Sequence, residues 1–222
     1  MHGPAIRRLE VWSTPLRLCH WALTLAVMVL LLSGWLIRWA PERADQVRDA
    51  HFVAAAVLVA ALVVRLGLFF LGSGPAALGA LLPDRHRLGQ ALAVLRSYLT
   101  LGKLPLPRWY AHNPLWAPLY LLLYVVLLGQ VLTGAALLQD VTMAGGVSLR
   151  GLHAWGYFLV MGFAAGHVLA SFVHDAWGKA DDVSAMINGQ RIFTLEPLQE
   201  EQNPGGVVIP LSTLTNDRRD QG

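Results

Sequence analysis

Four stretches of this 222-residue chain are apolar over about twenty residues each, and they limit its possible folds more than any other feature. They cover about residues 18–37, 51–71, 115–138 and 152–173. An α-helix of about twenty apolar residues crosses the hydrocarbon layer of a bilayer and satisfies its own backbone hydrogen bonds there. Charged residues make up only 14% of the chain, against about 25% in soluble domains. The sequence therefore predicts an all-α membrane protein, a bundle of four transmembrane helices.

Lysine and arginine predict the orientation of these helices. Eight of them lie in the N-terminal segment and the second connection, whereas the first and third connections hold four. Cytoplasmic loops carry the excess of basic residues, so we expect both termini on the cytoplasmic side. The first stretch is longer than a signal-peptide core and no small-residue cleavage site follows it, so we expect it to be retained. The eight are Arg7, Arg8, Arg17, Arg85, Arg87, Arg96, Lys103 and Arg108, and the four are Arg38, Arg43, Arg48 and Arg150.

The second connection is long, and its middle has the pattern of an amphipathic helix. Between Arg85 and Leu101, leucines recur at helical intervals at positions 88, 92, 95 and 99. We expect this helix to lie on the inner membrane surface, with a plain solvated connector as the alternative. Residues 1–195 are expected to form one domain, and the polar residues 196–222 a flexible tail.

Four histidines lie within or at the ends of three of the predicted helices. His153 and His167 are 14 residues apart, so their rings fall within about 40° of one helix face and about 21 Å apart along the axis. The predicted orientation places His20 at the cytoplasmic level of His167, and His51 at the periplasmic level of His153. Ionisable side chains inside a membrane are costly and usually functional. Two histidines at each of two levels fit two haems, each with two imidazole ligands.

Other residues at the same spacing agree with two stacked cofactors. Gly34 follows His20 by 14 residues and leaves room for a macrocycle at the depth of the other haem. Arg65 follows His51 by 14 residues, and a lone arginine in a transmembrane helix needs an anion, for which a haem propionate is a candidate. Arg17, one turn before His20, is a second candidate for that role.

Other metal centres fit the chain less well. Zinc needs its ligands within a few ångströms of one another, whereas most of the membrane separates the two histidine levels. The single cysteine, Cys19, excludes an intramolecular disulfide and a cysteine-ligated iron–sulfur cluster, and we expect it to be a small buried thiol. His174 lies one residue beyond the fourth apolar stretch, and we expect it to be solvated.

Together these residues resemble the bacterial cytochrome b-561 superfamily, in particular the b-type membrane subunits of nickel–iron hydrogenase, formate dehydrogenase and thiosulfate reductase. The resemblance covers about residues 8–195. It is carried by Trp12, Arg17-Leu18-Cys19-His20-Trp21, Ser33-Gly34, His51, Arg65, Gly72, His112-Asn113-Pro114-Leu115, Thr133-Gly134, His153, His167 and the segment 181–193 with Ser184-Ala185-Met186-Ile187-Asn188-Gly189.

The resemblance implies two haems b on the four histidines, paired by depth, in a multi-pass protein of the bacterial inner membrane. It also implies electron exchange with the quinone pool beside the cytoplasmic haem, and there it points to Asn113, with His112 and Tyr110 as neighbours. Asn113 can donate a hydrogen bond to a quinone oxygen, or it can serve as a turn residue before Pro114. The first connection has only about thirteen residues, fewer than in many hydrogenase-type relatives. The expected periplasmic redox partner is therefore a hydrogenase-like subunit or a cytochrome c.

We thus predict a dihaem cytochrome b that passes electrons between a periplasmic redox partner and the quinone pool. A stand-alone superoxide:quinone oxidoreductase on the same scaffold is the alternative. It requires an electropositive pocket at the periplasmic haem, for which the basic residues of the first and third connections are available. A membrane anchor without haem is a third hypothesis. Nucleic-acid binding is not expected, because the basic residues flank the helices as topology signals do.

Overall fold

The computed structural model describes residues 5–176 and 182–195. The tail predicted for residues 196–222, and residue 181 of the segment 181–193, lie outside them. Six α-helices and four short strands follow one another in this part of the chain. They are β1 (Ala5–Glu10), α1 (Thr14–Trp39), α2 (Ala44–Leu71), α3 (Arg85–Leu99), α4 (Trp116–Leu138), β2 (Met143–Ala144), β3 (Val147–Ser148), α5 (Leu149–Ala176), α6 (Asp182–Asn188) and β4 (Gln190–Leu195).

The long helices α1, α2, α4 and α5 are each apolar and long enough to cross a membrane, which confirms the predicted four-helix bundle. Their outward faces carry large apolar side chains that are more than half exposed. Such a surface is unusual for a protein in water and suits one solvated by lipid. Examples from the four helices are Leu25, Leu32, Val63, Leu132 and Leu169.

The four long helices form two hairpins that meet at one apolar layer. α1 packs along α2 and α4 along α5, whereas direct contacts between the hairpins are sparse. The layer contains one buried residue from each helix: Ala26, Leu58, Leu127 and Val160. Val160 is seven residues from both His153 and His167, about two helical turns in each direction. The apolar layer therefore lies between the two histidine levels.

The helix α3 confirms the predicted amphipathic helix in the second connection. The Asp84 carboxylate caps its first turn and accepts the Arg87 backbone N–H at 2.8 Å. Val94 and Ser97 are fully buried against the protein, whereas the leucines at 88, 92, 95 and 99 are all exposed. An apolar stripe that the protein leaves uncovered is the arrangement of a helix lying against lipid, and this membrane contact stays a prediction.

Glycines shape two short connections of the chain. The hairpin of β2 and β3 turns through Gly145 and Gly146, both with positive φ, as a two-residue turn requires. Gly189 follows α6 with φ +86°, and its carbonyl accepts the N–H groups of Val11 and Trp12 as β1 and β4 pair. A Cβ there would lie 2.9 Å from the Trp12 carbonyl oxygen, so only glycine fits. Among the described residues, 8–176 with 182–192 form one compact unit, and 5–7 with 193–195 form another.

Candidate haem-binding sites

The first candidate site lies between α1 and α5, where the rings of His20 and His167 come close to each other, inclined at 64°. Their ring centroids are 6.4 Å apart. An imidazole nitrogen binds a metal at about 2.0 Å and lies about 1.1 Å from its ring centre, so two rings on opposite sides of one iron stand about 6 Å apart. The structure thus brings together two histidines that are 147 residues apart in sequence, at a separation that accommodates one iron.

A cavity of about 330 Å³ opens beside this pair. The Nδ1 atom of His20 is buried there without a hydrogen-bond partner among the described residues, and Nδ1 of His167 is 3.4 Å from the Tyr120 hydroxyl. Cys19, next to His20, is a buried free thiol, as predicted. A largely apolar cavity with a few polar edges suits a flat macrocycle with charged propionates. Its polar lining comprises His20, Thr24, Arg65, His112, Asn113, Tyr120, Tyr124, His167, Ser171 and Asp182.

The second candidate site lies beyond the apolar layer, where His51 of α2 and His153 of α5 are close enough to interact electrostatically. Each ring is held by a hydroxyl group of the helix preceding it in the same hairpin. The Ser33 Oγ atom is 2.8 Å from Nδ1 of His51, and the Thr133 Oγ1 atom is 2.9 Å from Nδ1 of His153. The Nε2 atoms of both rings are left for a metal.

A glycine follows each of these two hydroxyl residues and keeps the space beside the imidazole open. A Cβ added to Gly34 would lie 3.5 Å from the Tyr157 ring and 3.9 Å from Cε1 of His51. A Cβ added to Gly134 would lie 3.3 Å from Cε1 of His153. A methyl group at either glycine would narrow the space beside the neighbouring imidazole. This open space suits a flat ring system that lies against the helices. The residues of the second site therefore fit a haem as well.

A larger side chain at position 134 should displace one cofactor. We expect Gly134→Leu to lower extractable haem by about one per polypeptide, because the added atoms occupy the space beside His153. The matched control is Gly129→Leu on the same helix, where an added Cβ meets no atom within 4 Å. Haem extraction from purified protein measures both. A full haem content in the Gly134 variant would show that no macrocycle lies against this glycine.

The two predicted propionate partners differ in their surroundings. Arg65 is only 3% exposed, lines the cavity, and donates to the Ala76 carbonyl at 2.7 Å and the Tyr124 hydroxyl at 3.1 Å. A guanidinium has five N–H donors, so several remain for an anion. Arg17 does not line the cavity; its guanidinium donates to the Ile187 carbonyl and to Thr14. The propionate role of both arginines stays a prediction, and the geometry favours Arg65.

The two residues predicted for a quinone site, His112 and Asn113, lie in the wall of the same cavity. His112 packs edge-on against Trp12, with ring centroids 4.9 Å apart. Burial, with the cations Arg65 and Arg87 nearby, lowers the pKa of His112 to about 3. Its imidazole is therefore neutral at physiological pH and can donate or accept a hydrogen bond.

The geometry of Asn113 allows both of the roles that the sequence left open, a turn residue before Pro114 and a hydrogen-bond donor to a quinone. Its Oδ1 accepts the Leu115 backbone N–H at 2.9 Å, which makes it the turn residue at the start of α4. Its Nδ2 donates to the Tyr98 hydroxyl at 3.2 Å, and a second N–H remains for a ligand. Tyr110, the other predicted neighbour, is 53% exposed and does not line the cavity.

A buried polar cluster beside the cavity was not predicted. His174 was expected to be solvated, which is wrong: it is 2% exposed, because α5 continues to Ala176 and Tyr98, Trp109 and Asp182 lie against its ring. Its Nε2 lies 2.7 Å from the Tyr98 hydroxyl and its Nδ1 2.9 Å from Asp182, which also accepts from Arg191 at 2.8 Å. Burial raises the pKa of Tyr98, so its hydroxyl keeps its proton. No local pattern indicates this cluster, because its members come from four elements.

The fold and the two histidine pairs point to a class of protein: a multi-pass membrane protein of the cytochrome type, with residues that fit haem between its helices. Comparison with known proteins names the family. The family model described as prokaryotic cytochrome b561 matches residues 11–189, so the chain belongs to the prokaryotic cytochrome b561 family. This confirms the resemblance seen in the sequence. The protein is a b-type cytochrome of the bacterial inner membrane and transfers electrons through haem b.

Several relatives are described as hydrogenase cytochromes. A probable Ni/Fe-hydrogenase B-type cytochrome subunit of Cupriavidus necator is 26% identical over 220 residues, which cover 86% of this chain and 90% of the relative. The Rhodobacter capsulatus protein of the same description is 28% identical, with 82% and 81% covered. A probable Ni/Fe-hydrogenase 1 B-type cytochrome subunit of Escherichia coli K12 is 25% identical, with 82% and 89% covered. No solved structure matches the chain.

Proposed function

We propose that this chain is the dihaem cytochrome b subunit of a hydrogenase-type complex and carries electrons across the inner membrane between a periplasmic redox partner and the quinone pool. The observation that supports this most directly is the pair of histidine sites, one on each side of a single apolar layer in one four-helix bundle. Two cofactors about four helical turns apart bridge most of the hydrocarbon thickness, which one cofactor cannot do.

The four histidines His20, His51, His153 and His167 would hold the two haems. Haem supplies one-electron redox chemistry when it is bound; the chain supplies the ligands, the apolar walls and the charges around them. Arg65 would pair with a propionate at the first site, with Arg17 as a second candidate. Ligation by the same residue type at both levels keeps the two cofactors chemically similar, so their surroundings must set any difference between them.

A hydrogenase-like subunit is the partner best supported, because the relatives described as hydrogenase cytochromes match this chain over most of their length. A periplasmic cytochrome c is the alternative that the short first connection suggested. The excess of Lys and Arg at the N-terminus and in the second connection supports cytoplasmic termini. In that orientation His51 and His153 face the partner, and His20 and His167 lie at the cytoplasmic level.

The quinone is proposed to bind at the cavity wall beside His20 and His167. Neutral His112 and the free N–H of Asn113 are the groups that would hydrogen-bond a quinone oxygen, within the same cavity as the candidate iron ligands. Proximity of this kind allows electron transfer without further protein carriers. The superoxide alternative is weaker, because two of the arginines it needs are exposed and paired with carboxylates, Arg48 with Asp45 at 3.0 Å and Arg43 with Glu42 at 4.0 Å.

The quinone proposal is tested by reoxidising the chemically reduced protein with a short-chain quinone. The rate is measured from the loss of the absorption band of the reduced haem. His112→Phe keeps the ring contacts and Asn113→Asp keeps the turn acceptor, but each loses a donor to the quinone. Loss of a neutral hydrogen bond of about 1 kcal/mol predicts reoxidation about three- to tenfold slower. His86→Phe, at an exposed position in α3, is the control and should not change the rate. Unchanged rates in both site variants would place the quinone elsewhere.

A further inference from the structure

We propose that Ser33 and Thr133 are positioning residues that fix the tautomer of His51 and His153 and thereby give the haem of this pair the lower reduction potential of the two. Electrons then pass downhill from the His51/His153 site to the His20/His167 site. This inference rests on the proposed function, since it requires a haem at each pair. It goes beyond that function by assigning the side chains that set the difference in potential between the two haems.

The two hairpins repeat the same construction at this level. In each, a hydroxyl residue followed by glycine lies on the first helix, and the histidine lies on the second. Ser33 of α1 contacts Nδ1 of His51 on α2 at 2.8 Å, and Thr133 of α4 contacts Nδ1 of His153 on α5 at 2.9 Å. Ser33 and Thr133 are both buried, 4% and 6% exposed, so water does not compete for these contacts.

The hydroxyl protons decide which nitrogen of each imidazole carries hydrogen. Ser33 Oγ lies 2.6 Å from the Val29 carbonyl oxygen, and Thr133 Oγ1 lies 2.7 Å from the Gly129 carbonyl oxygen. A carbonyl oxygen can only accept a hydrogen bond, so each hydroxyl must donate its single proton to the carbonyl of the preceding turn. The hydroxyl oxygen then accepts from Nδ1–H of the histidine. Both rings are therefore held as the Nδ1–H tautomer, with the Nε2 lone pair available for iron.

The His20/His167 pair lacks this support. Nδ1 of His20 is buried with no partner among the described residues, and Nδ1 of His167 is 3.4 Å from the Tyr120 hydroxyl, at the outer limit of a hydrogen bond. The guanidinium of Arg65, 3% exposed, lines the same cavity. The carboxylate of Asp182 also lines it but is paired with Arg191 at 2.8 Å, so the positive charge of Arg65 remains effective.

Both differences widen the gap between the two reduction potentials. An N–H donated to an acceptor makes the imidazole a stronger electron donor, and this stabilises ferric iron at the His51/His153 site. At the His20/His167 site Arg65, which would pair with a propionate, offsets negative charge beside the haem and so favours the reduced state, which carries one positive charge less. The charged residues Arg43 and Arg48, nearer in sequence to the His51 site, are exposed and screened by solvent, so they offset little of this.

The test is a redox titration of the purified holoprotein, followed optically and by the electron paramagnetic resonance signals of the two ferric haems. Compared with wild type, Ser33→Ala and Thr133→Ala should raise the potential of the haem that titrates at the lower potential. At the wild-type midpoint of that haem, the ratio of reduced to oxidised form should rise about threefold in each single variant and about tenfold in the double variant. Tenfold corresponds to about 59 mV for one electron.

Conservative variants separate the hydroxyl from simple packing. Ser33→Thr and Thr133→Ser retain the acceptor and should keep the wild-type potential, and the second haem serves as the internal reference in every variant. If the double variant loses its haem, the single variants decide. Unchanged potentials in the alanine variants, equal shifts in the conservative ones, or a response of the higher-potential haem would each overturn the inference. Wild-type protein with fewer than two haems would instead overturn the proposed function, so the two failures are distinguishable.

Discussion

Replacing His153 by alanine is expected to lower the haem content from two to one per polypeptide. His51, the remaining imidazole of that pair, would be the one ligand left for the haem iron, and the truncated side chain leaves a gap in an apolar environment that cannot replace the missing ligand. The haem at His20 and His167 should be retained, because the apolar layer of Ala26, Leu58, Leu127 and Val160 separates the two sites. Extraction of haem from the purified protein, divided by the polypeptide concentration, measures the change.

Double variants test the pairing itself, which single variants cannot do. His51→Ala with His153→Ala should lose no more haem than His153→Ala alone, because both residues serve one cofactor. His153→Ala with His167→Ala should lose both haems, because these residues serve different cofactors. The exposed histidine variant His86→Ala should retain two. If the double variant of His51 and His153 lost both haems and the other double variant only one, the depth pairing would be wrong.

Much of this architecture was predictable because membrane helices obey local rules. Hydrophobic length set the number of spans, and leucine spacing indicated α3 where the structure places it, at Arg85–Leu99. The 14-residue interval between His153 and His167 fixed their relative depth without any knowledge of packing. Depth in turn predicted that His20 and His167 meet, and the structure places their rings 6.4 Å apart. In a regular helix that crosses a layer of fixed thickness, the separation of two residues in sequence gives their separation in depth.

Contacts around the histidines could not be read in the same way. The glycines at 34 and 134 were visible in the sequence, but the hydrogen bonds of the residues before them depend on how two helices are rotated about their axes. His174 was misjudged because its burial comes from other segments of the chain: Tyr98 of α3, Trp109 and Asp182 of α6 lie against its ring at the end of α5. Apolar length defines where a membrane helix can lie, and it says little about what covers the helix outside the bilayer.

The polar cluster around Asp182 leads to the second large expected effect, a loss of stability on Asp182→Ala. The substitution removes the partner of Arg191, which is 6% exposed, and of His174, which is 2% exposed. Removing one member of a buried ion pair costs about 3–5 kcal/mol. The Asp182 side chain is 23% exposed, and Arg191 keeps its bond to the Tyr110 carbonyl, so we expect about 2–3 kcal/mol.

A thermal transition measured in detergent by loss of helical signal should then fall by roughly 5–10 °C in Asp182→Ala. The matched control is Asp45→Ala, which removes a similarly short but exposed ion pair with Arg48, at 3.0 Å, and should change the free energy of unfolding by less than about 0.5 kcal/mol. Combining Asp182→Ala with Arg191→Met should restore part of the stability, because no buried cation is then left unpaired. An Asp182 variant as stable as the Asp45 control would mean that the cluster does not hold α6 and β4 against α5. The expected loss would show that this buried cluster stabilises the fold at the wall of the His20/His167 cavity, which Asp182 also lines.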